Sequence, residues 1–553
     1  MTDSGSAEIE LKLGLAPAAM SALLRHPAVA AARRGPLRRA HVVSTYFDTP
    51  DRALATAGIA LRVRRDGRRW LQTVKGPALP GAGGTMHVRR EDEWPLAGPA
   101  LDATRFGETP WRKALDRAWS GGALAARFTT DFVRRTLPLE LADGSFALLC
   151  IDHGHIGAGR RRMPIAEIEL ELEAGAPAAL IAFARTLAAD LPLVVGLANK
   201  AERGDALARR QPALGAPLHA SALPAAAFPA RLDAATALAR VAANCVAQIA
   251  GNAAGLVAAT DPEWVHQMRV GTRRLRACLA LAARLGSDPR IGALATEAKA
   301  LAGALGPARD LDVFRDETLP PLAAALRDDA TLAPAFDRMR RRLERRRREA
   351  RAAARAAVAS KRFVEFVLAV HAWIVDPTPS VVPPPAGAGA ATAPARGATS
   401  ARQGDGSGVP ATEPAAVSRR IPDAREFAAA MLERRHRRVA RALKGLAGRS
   451  TAERHAERIA AKKLRYAAEF FGPMYPPAAA RRYARELAAL QAALGATNDA
   501  AMAARLAPQL AGDDPLLQGM IRGYATAREV GAAGALDATA RRFARATRFW
   551  RRD

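Results

Sequence analysis

The chain has 553 residues, too many for one hydrophobic core, so two or more domains are expected. Its 83 Lys and Arg against 54 Asp and Glu leave a formal net charge of +29, which points to anionic partners: nucleic acid, an anionic membrane or phosphate polymers. Hydrophobic content of 49% and charged content of 25% exclude a chain disordered throughout, and three cysteines without a CxxC pair (Cys150, Cys245, Cys278) suggest neither a zinc site nor a disulfide framework.

The stretch from Met1 to Lys12 is polar and acidic and lacks the apolar core of a secretory leader. Apolar runs elsewhere are broken by Arg within a few residues, so no membrane span is expected. A cytoplasmic protein follows from these two readings.

Residues 1 to about 205 read as α+β with alternating strands. Glu8, Glu10 and Lys12 alternate with Ile9, Leu11 and Leu13, and successive side chains of a strand point to opposite faces. The pattern recurs in Leu61-Arg62-Val63-Arg64, in Gln72-Thr73-Val74-Lys75, in Met86-His87-Val88-Arg89 continuing to Glu91 and Glu93, at Phe132 and Arg134, and in Glu167-Ile168-Glu169-Leu170-Glu171-Leu172. One such strand is ordinarily a solvated surface. Repeated segregation into acid rows and base rows suits a closed barrel with a polar lumen, its apolar outer face covered by helices. Converging carboxylates bind hard divalent cations, and converging Arg and Lys bind phosphate oxygens. Together they suit metal-assisted phosphoryl transfer.

These segments resemble, in order, the signature of the CYTH or triphosphate tunnel metalloenzyme family: Glu8-x-Glu10-x-Lys12, Tyr46-Phe47-Asp48-Thr49-Pro50, the two basic strands, Arg89-x-Glu91-x-Glu93, Arg134, Asp152-x-Gly154, the Glu167 to Glu171 strand and Asn199-Lys200-Ala201-Glu202-Arg203-Gly204. The resemblance implies an eight-stranded antiparallel β-tunnel with flanking helices that hydrolyses triphosphate with Mg²⁺ or Mn²⁺. It implies metal ligation by Glu8, Glu10, Asp152, Glu169 and Glu171. It implies catalytic roles for Lys12, Arg62, Arg64 and Lys75, and phosphate binding by Arg89, Arg134, Lys200 and Arg203. Asp48 reads as a turn residue, and Arg90 stands where the family pattern has an acid. The family also contains thiamine and RNA triphosphatases and adenylate cyclases, and a tunnel that binds without cleaving is a further alternative.

Residues 211–230 are rich in Pro and Ala and read as a linker. From 231 to 553 the pattern is helical, interrupted at 376–418 by a Pro-, Gly-, Ser- and Thr-dense insertion that reads as disordered. His266, Arg269, Arg273, Arg274 and Arg276 recur with the same spacing as His455, Arg458, Lys462, Lys463 and Arg465, an offset of 455 − 266 = 189. The same offset carries Glu297 onto Glu486, Leu305-Gly306 onto Leu494-Gly495 and Asp310 onto Asp499. This is an internal duplication, expected to give two four-helix modules. In a helix, His266, Arg269, Arg273 and Arg276 form one stripe. The pattern resembles the CHAD domain, with Leu305 to Asp312, including Arg309, as a second motif and Asn498 in the twin position of Arg309. That resemblance implies an all-α domain of two four-helix repeats whose basic residues, Arg309 among them, hold inorganic polyphosphate, and it favours tripolyphosphate as the substrate of the tunnel. The expected location is then the cytoplasm, at polyphosphate granules. An aromatic content of 5% argues against nucleic-acid binding through base stacking.

Overall fold

The computed structural model describes residues 7–79, 85–121, 124–196, 198–210, 216–325, 331–378, 421–443 and 450–551. Nearly all of the expected insertion at 376–418 lies outside the described residues, as do the side chains of Asn498 and Asp499.

Eight antiparallel strands close into a barrel: β1 (Ala7–Gly14), β2 (Arg38–Asp48), β3 (Ala60–Asp66), β4 (Arg69–Ala78), β5 (Met86–Leu96), β6 (Ala125–Glu140), β7 (Phe146–Ala158) and β8 (Arg161–Ala174), in the spatial order β1-β5-β4-β3-β2-β6-β7-β8. The register decides which charges meet. Glu10 lies opposite His87 on one side and Glu171 on the other, and Lys12 lies opposite Glu169. Lys75 faces Glu91, and Arg134 faces Asp152, which in turn faces Glu167. The β5 register is unambiguous: His87, Arg89, Glu91 and Glu93 line the lumen. Arg90 and Asp92, of the opposite parity, pair with each other at 3.1 Å. Asp48 is a turn residue: its carboxylate accepts from the backbone N–H of Thr49, Leu54 and Ala55 at 2.8 to 3.0 Å.

Two helices follow the barrel, α1 (Pro177–Asp190) and α2 (Lys200–Ala208). Then come two sets of long helices: α3 (Ala234–Gly251), α4 (Glu263–Ala282), α5 (Pro289–Val313), α6 (Ala333–Val358) and α7 (Lys361–Val375), then α8 (Ala424–Ala442), α9 (Thr451–Phe471), α10 (Pro477–Ala493), α11 (Gly495–Ala511) and α12 (Pro515–Ala544). The sets repeat one another in detail. Asp233 and Asp423 cap α3 and α8 and are joined by a two-residue bridge, with Ala234 N–H donating to Pro422 and Ala424 N–H to Leu232. Glu297 holds Arg362 at 2.7 Å, and its twin Glu486 holds Arg542 at 2.7 Å.

Barrel and helices share one buried apolar cluster. It runs from Leu11, Leu13 and Leu170 on the barrel's outer face, through Leu180 and Leu187 of α1, to Ile249 of α3 and Phe366 and Val370 of α7. Charged contacts follow the same joint. Arg185 pairs with Glu365 at 2.6 Å, and the Lys361 ammonium donates to the last carbonyls of α1, Ala189 and Asp190. The described part of the expected linker is also tied down: Leu218 exchanges two hydrogen bonds of 2.9 Å with the Asn252 side chain. One expectation needs correcting. The 25-residue stretch Ala234–Ala258 is long and apolar enough to cross a membrane, with mean hydropathy 1.4 over an 18-residue window, because Arg240 alone does not break it. In the fold 67% of that window is buried, as in a core helix of a packed bundle.

Two predictions concern this joint. Gly196 has φ +77°, and a Cβ there would lie 2.0 Å from the Ala250 carbonyl oxygen of α3. Gly196→Ala should therefore cost about 2 kcal/mol or more and lower the melting temperature by several degrees, whereas an unchanged melting curve would show that the joint yields freely. His371 of α7 is fully buried, and neither ring nitrogen has a partner. Burial, with a smaller contribution from His87, pushes its pKa down from 6.5 to about 4. The unfolded chain therefore takes up this proton first, so stability is complete above pH 6.5 and declines as pH falls toward 4. The stability of His371→Leu relative to the parent should rise by up to about 3 kcal/mol between pH 7 and pH 4 in denaturant titrations; a pH-independent difference would contradict the assignment.

Candidate functional site: a charge-lined tunnel and a basic helical seam

The lumen encloses a cavity of about 360 Å³. Of the expected residues, Glu8, Glu10, Lys12, Arg62, Arg64, Lys75, Arg89, Arg134, Glu169, Glu171 and Lys200 all line it. Asp152 and Arg203 do not: Asp152 pairs with Arg134 and Lys200, which do, and Arg203 pairs with Glu167, which is held by Lys200 in turn. Tyr46, His87, Glu91, Glu93 and Asn199 line the cavity as well. The alternation that put His87 and Glu91 in one row with Arg89 was visible in the sequence. What was not visible is that β5 lies beside β1.

Glu8, Glu10 and Glu171 bring three carboxylate oxygens within 4.8 Å of one another. Among the described residues, each of these carboxylates has one cation against it: Lys75 on Glu8 at 2.7 Å, Lys12 on Glu10 at 3.6 Å and Arg134 on Glu171 at 3.1 Å. Burial, with Glu91 and Glu10 nearby and Lys75 opposing, lifts the Glu8 pKa to about 7. Its hydrogen-bond partner Glu91 is held down at about 2 against the effect of burial by Lys75 and Arg62. Burial also lifts Glu171 against Arg134, whereas at Glu10 the Lys12 ammonium overcomes burial and holds the carboxyl below its usual range.

A second carboxylate group, Asp152, Glu167 and Glu169, is equally close and fully buried. Arg134 forks onto Asp152 with two bonds of 2.8 Å and touches Glu169. Lys12 reaches Glu169 at 2.8 Å, and Arg203 pairs with Glu167. Gly154 has a positional reason: a Cβ there would lie 2.5 Å from the Phe132 backbone, and the Phe132 ring carries the Lys200 and Arg134 cations at 5.1 and 5.8 Å.

The opposite wall is basic. Arg62 contacts Glu91 at 3.3 Å and the Tyr46 hydroxyl at 3.4 Å, and Arg64 contacts Glu93 at 2.8 Å. The Nε–H groups of Arg62 and Arg64, and of Arg89 beside Glu8 on β5, are buried with no acceptor. An unmet buried donor is costly, so three of them in one cavity suit an oxygen-rich ligand.

In the helical part, the fold gathers some of the basic stripe of α4. His266, Arg269 and Arg273 are half-buried, and Arg309 of α5 approaches them. Burial and then Arg309, Arg273 and Arg269 depress the His266 pKa. Gly306 leaves room for the Arg269 guanidinium, which would lie 3.1 Å from a Cβ there. Asp310 contacts Arg269 at 3.7 Å and Arg505 of α11, in the other repeat, at 2.6 Å. Arg505 was missed from sequence because it lies outside the duplicated motif. Arg276 is exposed on the same stripe. Arg274 does not join them: it is buried, donates to Gln248 and the Ser221 carbonyl, and pairs with Glu469 of α9 at 3.1 Å. In the twin, His455, Lys463 and Arg465 are exposed and Arg458 and Lys462 half-buried; Arg465 donates to Gln491 at 3.0 Å. Part of the arginine-rich charge of α6 is structural, since Arg347 pairs with Asp312 at 2.7 Å and Arg355 donates to the carbonyls of Leu256 and Ala259.

Residues 6–204 match the model of the CYTH domain, and residues 240–508 match that of the CHAD domain. The inorganic triphosphatase of Haemophilus influenzae is 30% identical over 220 residues, which are 37% of this chain and 56% of that protein, so this chain spans about half the length of that relative. Among solved structures, the CHAD domain from the plant Ricinus communis is 28% identical with a TM-score of 0.46, over 60% of this chain and 98% of that one. HpAC1 from Hippeastrum, described as having a dominant triphosphatase activity, is 21% identical with a TM-score of 0.26, over 35% of this chain and 92% of its own. The chain thus carries two known domains in series, a CYTH domain followed by a CHAD domain.

Proposed function

We propose that the CYTH tunnel hydrolyses inorganic tripolyphosphate to pyrophosphate and phosphate with a divalent cation, Mg²⁺ or Mn²⁺, and that the CHAD domain holds inorganic polyphosphate. The observation that carries the first half is the set of buried, acceptorless Nε–H groups of Arg62, Arg64 and Arg89, three residues that line the same cavity as a carboxylate cluster. Phosphate oxygens satisfy those donors. They would also replace Glu91 and Glu93 as partners of Arg62 and Arg64, and so displace internal ion pairs rather than add charge to a neutral lumen. The lumen carries Lys12, Arg62, Arg64, Lys75, Arg89, Arg134 and Lys200 against Glu8, Glu10, Asp66, Glu91, Glu93, Glu169 and Glu171. These formal charges cancel, so a polyanion enters favourably only with counter-charge of its own, which argues for a metal-bound substrate.

Glu8, Glu10 and Glu171 are an all-oxygen set suited to a hard cation, which when bound supplies charge stabilisation to phosphate oxygens. Water attacks the terminal phosphorus and gives up a proton to solvent, the bridging P–O bond breaks, and its electron pair leaves as negative charge on the departing pyrophosphate oxygen. Lys12, Lys75, Arg62 and Arg64 stand around the space where that charge develops, held by their carboxylate partners before substrate arrives. The similarity to an inorganic triphosphatase supports the inorganic substrate over an organic one.

Two outcomes are expected. With tripolyphosphate and Mg²⁺ or Mn²⁺, the protein should release phosphate. Arg64→Ala should reduce kcat by about 10²-fold or more, as removal of one preorganised donor does. No release above a Glu10→Gln control, or cyclic AMP formed from ATP, would overturn this reading. In the CHAD domain, polyphosphate affinity should fall steeply with salt, and Arg269→Ala with Arg273→Ala should weaken it and make the log–log salt dependence shallower by about one to two. DNA displacing long-chain polyphosphate at equal charge would point to a nucleic-acid partner instead.

A further inference from the structure

The two carboxylate clusters of the tunnel are alike in closeness but differ in how their cations are placed. Around Glu8, Glu10 and Glu171, each described cation touches one carboxylate of the three. Around Asp152, Glu167 and Glu169, a single ammonium touches all of them: Lys200 Nζ lies 2.7 Å from Asp152, 2.5 Å from Glu167 and 2.9 Å from Glu169. That central position, among three carboxylates whose oxygens lie within 4.8 Å of one another, is the one a divalent cation would take.

The local structure fixes it there. Lys200 opens α2, and a capping box between Asn199 and Glu202 sets where that helix starts. Gly204, one turn on, lets α2 lie against the barrel: a Cβ there would be 2.1 Å from the Phe128 ring. The Lys200 side chain is 8% exposed, and what remains open faces the lumen, which it lines. A lysine so placed costs nothing in dehydrating a metal ion and cannot leave with product.

We propose that Lys200 is a built-in cation that fills the second carboxylate cluster and limits the tunnel to one divalent ion, held by Glu8, Glu10 and Glu171. Lys200 is in this sense a positioning residue: with Arg134, Lys12 and Arg203 it balances the charge of Asp152, Glu167 and Glu169, and it leaves Arg134 bound to Asp152 and Glu169 with a defined orientation. The proposal rests on the metal site assigned above, and the test separates the two.

The experiment counts Mn²⁺ bound per full-length chain, by equilibrium dialysis and by the loss of the free-ion EPR signal, in the parent and in Lys200→Met, Lys200→Arg, Glu171→Gln and Glu167→Gln. The parent should bind one tunnel ion, which Glu171→Gln loses and Glu167→Gln keeps. Lys200→Met should bind a second, which adding Glu167→Gln removes, and Lys200→Arg should remain at one. A parent that binds two ions, one of them lost in Glu167→Gln, would overturn the inference without recourse to any Lys200 variant. A folded Lys200→Met that still binds one would overturn it as well. A parent with no ion sensitive to Glu171→Gln would instead remove the metal site on which it is built.

Discussion

A closed sheet leaves the charges on its inner face with little bulk water, and that constraint organises this molecule. Strand alternation sends Glu8, Glu10 and Lys12 inward, and closure of β1 onto β5 and β8 denies them the solvent an open sheet would give. Each buried charge must then be paired or neutralised, because burying it alone costs far more than the fold could bear. The structure meets this by interleaving acids and bases across strands: Lys12 with Glu169, Lys75 with Glu8 and Glu91, Arg134 with Asp152. Pairs arranged in this way are preorganised for exchange. On the function proposed here, a phosphate takes the place of a carboxylate before a guanidinium that is already oriented.

The same closure dictates the architecture around the tunnel. A barrel that is polar inside must be apolar outside, and its outer face needs cover. On the β1 and β8 side that cover is α1, and α1 is itself packed against α7 of the CHAD domain. The two domains therefore meet through a shared apolar cluster rather than a tether, with Gly196 pressed on α3 and Lys361 on the end of α1. The helical domain contributes to the burial on which the tunnel wall depends.

Much of this was legible in the chain. The alternation of Glu8 to Leu13 and Glu167 to Leu172 gave inward and outward faces, and the 189-residue offset exposed the duplication, whose twin residues Glu297 and Glu486 each hold an arginine, Arg362 and Arg542. What the chain did not show were contacts set by register between distant strands and by helix packing. Asp152 and Glu169 read as metal ligands alongside Glu8 and Glu10, yet pairing of β7 with β8 and the approach of α2 draw them into a separate group with Lys200. Arg274 sits beside Arg273 in sequence, but the helical turn of one residue points it into the core toward Glu469. Arg505 bridges to Asp310 across the repeats, a contact no local motif encodes.

A receptor for metal-bound condensed phosphate is tested by a crystal structure of the full chain with Mn²⁺ and a tripolyphosphate analogue resistant to hydrolysis. An anomalous peak is expected among Glu8, Glu10 and Glu171, with phosphate oxygens accepting from the Nε–H groups of Arg62, Arg64 and Arg89. Analogue bound only along the helical seam, with Arg62 and Arg64 still paired to Glu91 and Glu93, would contradict it.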